Sequence, residues 1–293
     1  MKKILSALGV VMFLGVVIVA LGVAHSDTSN AESQNYTISS ARNYNARIVN
    51  KNNVDTYVSP YKEGVKVMKK INLQNQLVQL TQVAKLNKSV YYKISYQGIN
   101  QGWISSRDLS KTSVYEIPFV YTSQHFPFDA PNGCEGTALK MALSTRSIGL
   151  NKGIKYFLDR MPRSTNQNYG FVGNPFAKNN TSQNWTIFPR ALAKYGRTYR
   201  KTVYNFSGAS KNKIINEIKH GNPVISYTGY RMKKPTGHTL VVVGYKKGFF
   251  KMADPSSWRY QFKTGKSNPV FWVSTSQFMS LYNYEGKMAV VVR

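Results

Sequence analysis

Four side chains in this sequence have the types and placing that nucleophilic catalysis requires: Cys134, His238, Asp254 and Gln124. Cys134 follows the turn pair Asn132-Gly133 and opens an apolar helical pattern that runs from Glu135 to Arg146. Unpaired amide groups and the dipole at a helix start stabilise an anion there. A thiol so placed is drawn toward thiolate, the form that attacks a carbonyl carbon. Cys134 is also the single cysteine of the chain, so no intramolecular disulfide competes for it.

The thiol needs a base. His25 ends the apolar N-terminal run, His125 neighbours Gln124, and His220 sits at a helix end where it complements the dipole. His238 differs: in Gly237-His238-Thr239 it opens a strongly apolar strand to Tyr245, and a strand fixes its backbone. A turn at Lys246-Lys247-Gly248 and a strand from Phe249 to Ala253 complete a hairpin. Folding back near Lys246 sets position 254 roughly opposite position 238, so Asp254 is the expected orienter of the imidazole. Gln124, on the loop before the nucleophile, is the candidate oxyanion donor together with the Cys134 backbone N–H. Each feature alone has an ordinary structural explanation: a packed small hydrophobe, a strand start, a turn. Their joint order points to catalysis.

These residues need elements to hold them. Besides the Glu135–Arg146 pattern, a helix is predicted over Ser210–His220, with Ile214, Ile215 and Ile218 as its buried face and Gly221 as its stop. Pro223–Tyr227, Thr239–Tyr245, Phe249–Ala253 and Met288–Val292 read as strands. Helices followed by a mostly antiparallel sheet indicate an α+β domain over residues 114–293. The Asn-, Gly- and Pro-rich stretch Pro162–Trp185 is a candidate substrate-side loop. Upstream, residues 43–111 carry short alternating runs (Ala46–Val49, Gln79–Val83, Tyr91–Tyr96, Gly102–Ile104) that predict a small all-β barrel.

Two resemblances follow. Ile117-Pro118, Gln124, Asn132-Gly133-Cys134-Glu135-Gly136-Thr137-Ala138-Leu139, Met141, Gly237-His238 and Ala253-Asp254-Pro255 together resemble the papain-like bacterial cysteine peptidases of the double-glycine-leader family. That resemblance implies a papain-like fold for 114–293, with Cys134 as nucleophile, His238 as base, Asp254 as orienter and Gln124 as oxyanion donor. Tyr91-Tyr-Lys-Ile, Tyr96-Gln-Gly98, Gly102-Trp103-Ile104-Ser105-Ser106 and Leu109 resemble the GW type of SH3-like wall-binding module, with Tyr91 where a Trp is commoner. This second resemblance implies binding to lipoteichoic acid or other anionic wall polymers.

The ends and the charge complete the reading. Met1-Lys2-Lys3 and the apolar run Ile4–Ala24 form a signal peptide or membrane anchor over residues 1–26, followed by a polar linker over 27–42. The rest is expected outside the cytoplasm, in the wall or on the outer face of the membrane. Forty Lys and Arg against twelve Asp and Glu give a net charge of +28 over 293 residues, a field that attracts anionic polymers. No nucleic-acid reading motif accompanies it. No cofactor is expected, and no metal: one cysteine cannot build a sulfur-rich site and no histidine pair has ligand spacing. The chain therefore reads as an exported monomeric peptidase that cleaves peptide or wall-peptide amides. A peptidoglycan hydrolase and a non-catalytic wall adhesin are the alternatives, although wall hydrolases usually carry Asp-Cys-Ser-Gly where this chain has Gly133-Cys134-Glu135-Gly136.

Overall fold

Residues that alternate with a period of two put one face of each N-terminal strand into a common core. The computed structural model describes residues 36–40, 47–61, 63–86, 88–178, 185–257 and 268–293. Residues 1–26 and most of the 27–42 linker lie outside them. Eight strands form the first sheet: β1 (Thr37–Ser40), β2 (Arg47–Val49), β3 (Val54–Tyr57), β4 (Val67–Ile71), β5 (Leu77–Leu86), β6 (Ser89–Tyr96), β7 (Ile99–Ser105) and β8 (Leu109–Ser110). Their order is β4-β3-β7-β6-β5-β2-β8, and β1 pairs with β5 although it falls in the stretch read as linker. Val49, Val54, Ile71, Val78, Leu80, Ile94, Ile104 and Leu109 fill the core. Trp103 is buried too, and Gly102 before it has φ +94° with the Tyr57 carbonyl and the Thr56 side chain against its Cα. No side chain fits there, which is the physical content of the Gly-Trp pair.

The second domain follows β9 (Tyr115–Glu116) and comprises α1 (Cys134–Ser144), α2 (Ile154–Arg160), α3 (Pro189–Gly196), β10 (Val203–Asn205), α4 (Lys211–Lys219), β11 (Val224–Tyr227), β12 (Thr239–Lys246), β13 (Phe249–Ala253), β14 (Val270–Ser274), α5 (Thr275–Tyr284) and β15 (Ala289–Val292). It is a mixed α/β domain around a seven-stranded antiparallel sheet in the order β10-β15-β11-β12-β13-β14, with β9 on β12. Along β12, Val241 and Val243 pack toward α1, α2 and α3, whereas Leu240 and Val242 pack toward α4 and α5. Helices cover both faces, so this antiparallel strand reads as a continuous apolar run. The predicted helices and strands lie within a few residues of α1, α4, β11, β12, β13 and β15.

Three helices escape sequence patterning for different reasons. α2 is seven residues long, too short for a periodic signal. α3 starts at Pro189, where the missing amide is harmless, and seven of the ten residues of α5 are Ser, Thr, Asn, Tyr or Phe, all modest helix formers. Ser274 compensates by accepting from the Gln277 amide at the α5 start.

The two domains share packing. Leu77 of β5 sits in the same cluster as Tyr115, Ile117 and the residues of α4 and α5, and the Gln79 amide donates to the His220 carbonyl over 2.8 Å. Arg146, just beyond α1, donates to the Gly221 carbonyl at 3.0 Å and to Asn222 Oδ1 at 2.6 Å, with Gly98 of the first domain against it. Burial pushes its guanidinium down to about 10. We expect Gly102→Ala to lower unfolding stability in urea by about 1–3 kcal/mol, since it combines left-handed strain with a backbone clash.

Candidate active site

α1 is buried from Glu135 to Ser144, so Cys134 is the position where this helix meets accessible surface. The close approach of α2 that buries it depends on Gly136, where a Cβ would fall 2.5 Å from Leu158 Cδ2. The backbone and hydroxyl of Thr239, the residue after His238, lie beside the sulfur and favour its thiolate. The start of β12 thus brings the His238 segment to the start of α1.

His238 and Asp254 are in direct polar contact. His238 Nε2 lies 2.6 Å from Asp254 Oδ1, with the imidazole largely covered and the carboxylate at 0% exposure. Asp254 also accepts from the Ser256 amide at 2.8 Å on Oδ1 and from the Arg231 amide at 3.0 Å on Oδ2. A carboxylate acceptor requires the proton on Nε2, which leaves Nδ1 unprotonated and able to take one.

The route to this contact differs from the predicted register. β12 pairs Lys246 with Phe249, centring the turn on Lys247-Gly248, and a bulge between Val242 and Gly244 shifts the ladder so that Val241 faces Ala253. Continued one step, the ladder sets Asp254 opposite Leu240, not His238. The chain leaves the β12 ladder there, with the Asp254 amide on the Pro269 carbonyl at 2.8 Å, and the side chain reaches the imidazole.

Gln124 is buried, and its amide nitrogen donates to the carbonyls of Ala130 at 3.2 Å and Pro131 at 2.9 Å, while Oε1 has no partner. It props the segment that leads into Cys134. To serve an oxyanion it would have to release one of those carbonyls. Its own backbone amide donates to the Pro255 carbonyl at 2.9 Å, so the loop before Cys134 is tied to the turn after Asp254. Further ties come from Tyr121, whose hydroxyl bonds the Asp254 carbonyl and Ser257 Oγ, and from His125, held between Asp129 and Ser256. None of these partners has a spacing signal in the sequence.

Glu135 is the other residue that patterning did not single out. Its carboxylate is buried, with Oε1 accepting from the Thr186 hydroxyl and Oε2 3.3 Å from the Cys134 sulfur, which donates to it. Burial raises the Glu135 carboxyl above its usual range. Burial first, and then the Glu135 charge, push the Cys134 thiol well above its usual range. The sequence expectation of a thiol lowered by the helix start is therefore reversed: desolvation and a neighbouring carboxylate outweigh the dipole. Among the described residues, no group of three or more His, Cys, Asp or Glu could hold a metal ion.

In the all-β domain the Tyr91 ring stands 6.4 Å from Tyr61 and 6.3 Å from Tyr36, and Tyr57 stands 4.8 Å from Tyr61. This aromatic cluster occupies the face where Tyr91 replaces the commoner Trp.

The fold is that of a peptidase domain joined to a cell-wall-binding type of β module. The chain belongs to the Peptidase_C39 like family, whose match covers residues 116–287, more than half of its length. Residues 39–110 match the GW (Gly-Tryp) dipeptide domain. Among solved structures, a C39-like peptidase from Bacillus anthracis is 18% identical over 62% of this chain and 98% of that one, with a TM-score of 0.51. A double glycine motif protease from an AMS/PCAT transporter, in complex with the leader peptide, is 10% identical over 61% and 92% of the two chains, with a TM-score of 0.35. No curated protein matches the chain.

The Glu135 contact generates a test. A raised thiol is alkylated slowly at neutral pH and faster as pH climbs through its pKa. Removing the adjacent negative charge favours thiolate, so Glu135→Gln should shift the pH profile of Cys134 alkylation by iodoacetamide to lower pH, by about one unit. An unmoved profile would show that desolvation alone sets the thiol.

Proposed function

We propose that this protein is an exported, papain-like cysteine peptidase that hydrolyses peptide amides at an anionic bacterial wall. The observation that carries this reading is the 2.6 Å His238–Asp254 contact, which leaves Nδ1 as the basic nitrogen on the segment that borders Cys134. Because the thiol is raised, the resting nucleophile is neutral, and His238 Nδ1 takes its proton as sulfur attacks the carbonyl carbon. The C–O π pair moves to oxygen, which the Cys134 backbone N–H and a reoriented Gln124 amide stabilise. Collapse expels the amine, which receives the proton from His238 and leaves an acyl-enzyme. Water, deprotonated by the same nitrogen, then releases the acid and restores the thiol. Asp254 holds the imidazole in the working tautomer throughout and balances the imidazolium charge.

Location rests on the apolar run Ile4–Ala24, the GW match and the +28 charge. Lipoteichoic acid or a related wall polymer is the anionic partner, taken up by the β module and its tyrosine cluster. The chain acts as a monomer and needs no cofactor. A wall peptide as substrate makes the enzyme a peptidoglycan hydrolase, the reading that the GW match favours next.

Turnover decides the chemistry. Full-length protein should release new amino termini from purified walls or from isolated peptides. Cys134→Ala should abolish release, and Asp254→Asn should lower kcat on the order of a thousandfold or more while leaving the fold intact. Undiminished release by Cys134→Ala would overturn the mechanism, and absence of any turnover would leave a wall-binding protein. Retention on purified walls should fall as salt rises from 0.15 to 1 M, where screening shortens to about 3 Å. Retention that persists in high salt would remove the electrostatic account of anchoring.

A further inference from the structure

Lys140 lies in the second turn of α1, inside the domain, and the residue is only 5% exposed. The ammonium donates to Thr122 Oγ1 at 3.0 Å. Among the described residues, none of the ion pairs brings a carboxylate to it. An ammonium has three protons to donate and carries a full charge, and burying one without an anion is unfavourable. Burial depresses its pKa accordingly. Such a group calls for a partner, and a bound anion is one that supplies the missing charge.

The space beside Lys140 is a cavity of about 440 Å³. Val120, Tyr121, Phe126, Pro127 and Ile154 supply largely apolar walls, and Lys152 stands at the rim as a second cation. The volume falls within the range of small-molecule sites, and apolar walls with one convergent charge are how such sites select a ligand. A ligand that satisfies both elements carries a carboxylate for Lys140 and Thr122 and an apolar group for the walls.

We propose that this cavity is a binding site for a carboxylate attached to a small apolar group, the chemistry of a free peptide C-terminus ending in an apolar residue or of a short aliphatic acid. The site is distinct from Cys134 and does not depend on the hydrolase reading, because binding needs no turnover. It shares its wall with that site: Tyr121 and Ser123 line the cavity and also bond Asp254 and Ser257, one residue before Gln124.

The test is equilibrium binding by calorimetry on the full-length chain carrying Cys134→Ala, with N-acetyl-leucine, N-acetyl-leucine amide and hexanoate as probes. The acid should bind at least about tenfold more tightly than the amide, the contribution of one charge-assisted contact. Lys140→Met should bring acid and amide to within about twofold of each other. That variant is expected to fold, since it removes an uncompensated buried charge and keeps the volume. Hexanoate binding as tightly as N-acetyl-leucine identifies a site for simple apolar acids, and weaker hexanoate binding identifies a peptide terminus. Equal binding of acid and amide to the unsubstituted site overturns the proposal, whatever Lys140→Met does. A preference for the acid that survives Lys140→Met overturns it as well.

Discussion

A carboxylate sealed from solvent must find its donors within the protein, and Asp254 finds them in three separate segments. The imidazole of His238 comes from the start of β12, one amide from Arg231 in the preceding turn, and another from Ser256 beyond β13. Taking one partner from a buried charge costs about 3–5 kcal/mol, so the geometry of these segments is strongly enforced. Arg231 and Met232 both adopt φ near +55°, a strained conformation that aims the Arg231 amide at the carboxylate. The strain is local, and the carboxylate it serves organises everything around it.

From that carboxylate the constraint spreads to Cys134. The turn after Asp254 bonds the 121–125 loop through Pro255, Ser256 and Ser257, and Gln124 of that loop holds the carbonyls of Ala130 and Pro131 just before α1. Imidazole and thiol therefore sit on elements connected by an unbroken series of hydrogen bonds, not only by the packing of helix on sheet. The raised thiol fits this arrangement: a thiol held neutral is less readily oxidised than a thiolate.

The sequence made the parts legible whose signal is local. The apolar runs of β12 and β13, the Ser210 and Gly221 punctuation of α4 and the cysteine at a helix start all follow from period, cap and turn chemistry. What it hid depends on three-dimensional placement. The bulge in β12 moves the ladder by one residue and cannot be read from Leu240–Tyr245. Glu135 looks like an ordinary acid in a first helical turn, and only burial beside Thr186 turns it into the dominant charge on the sulfur. The partners of Gln124 were hidden as well, because backbone carbonyls that only the folded loop brings together take both its protons. α5, made mostly of modest helix formers, is supported by its Ser274 cap and the aromatic packing of Phe278 and Tyr282.

The packing of Leu77, Gln79 and Gly98 of the first domain against the second has a consequence for how the molecule meets its surroundings. Two modules on a loose tether sample many separations, and capture by one merely raises the local concentration of the other's target. Modules welded through a common core behave as a calliper. The β module and the helix that carries the sulfur keep one fixed span, so on the proposed function the position of a bond relative to the wall surface would be a criterion for choosing it, alongside its chemistry.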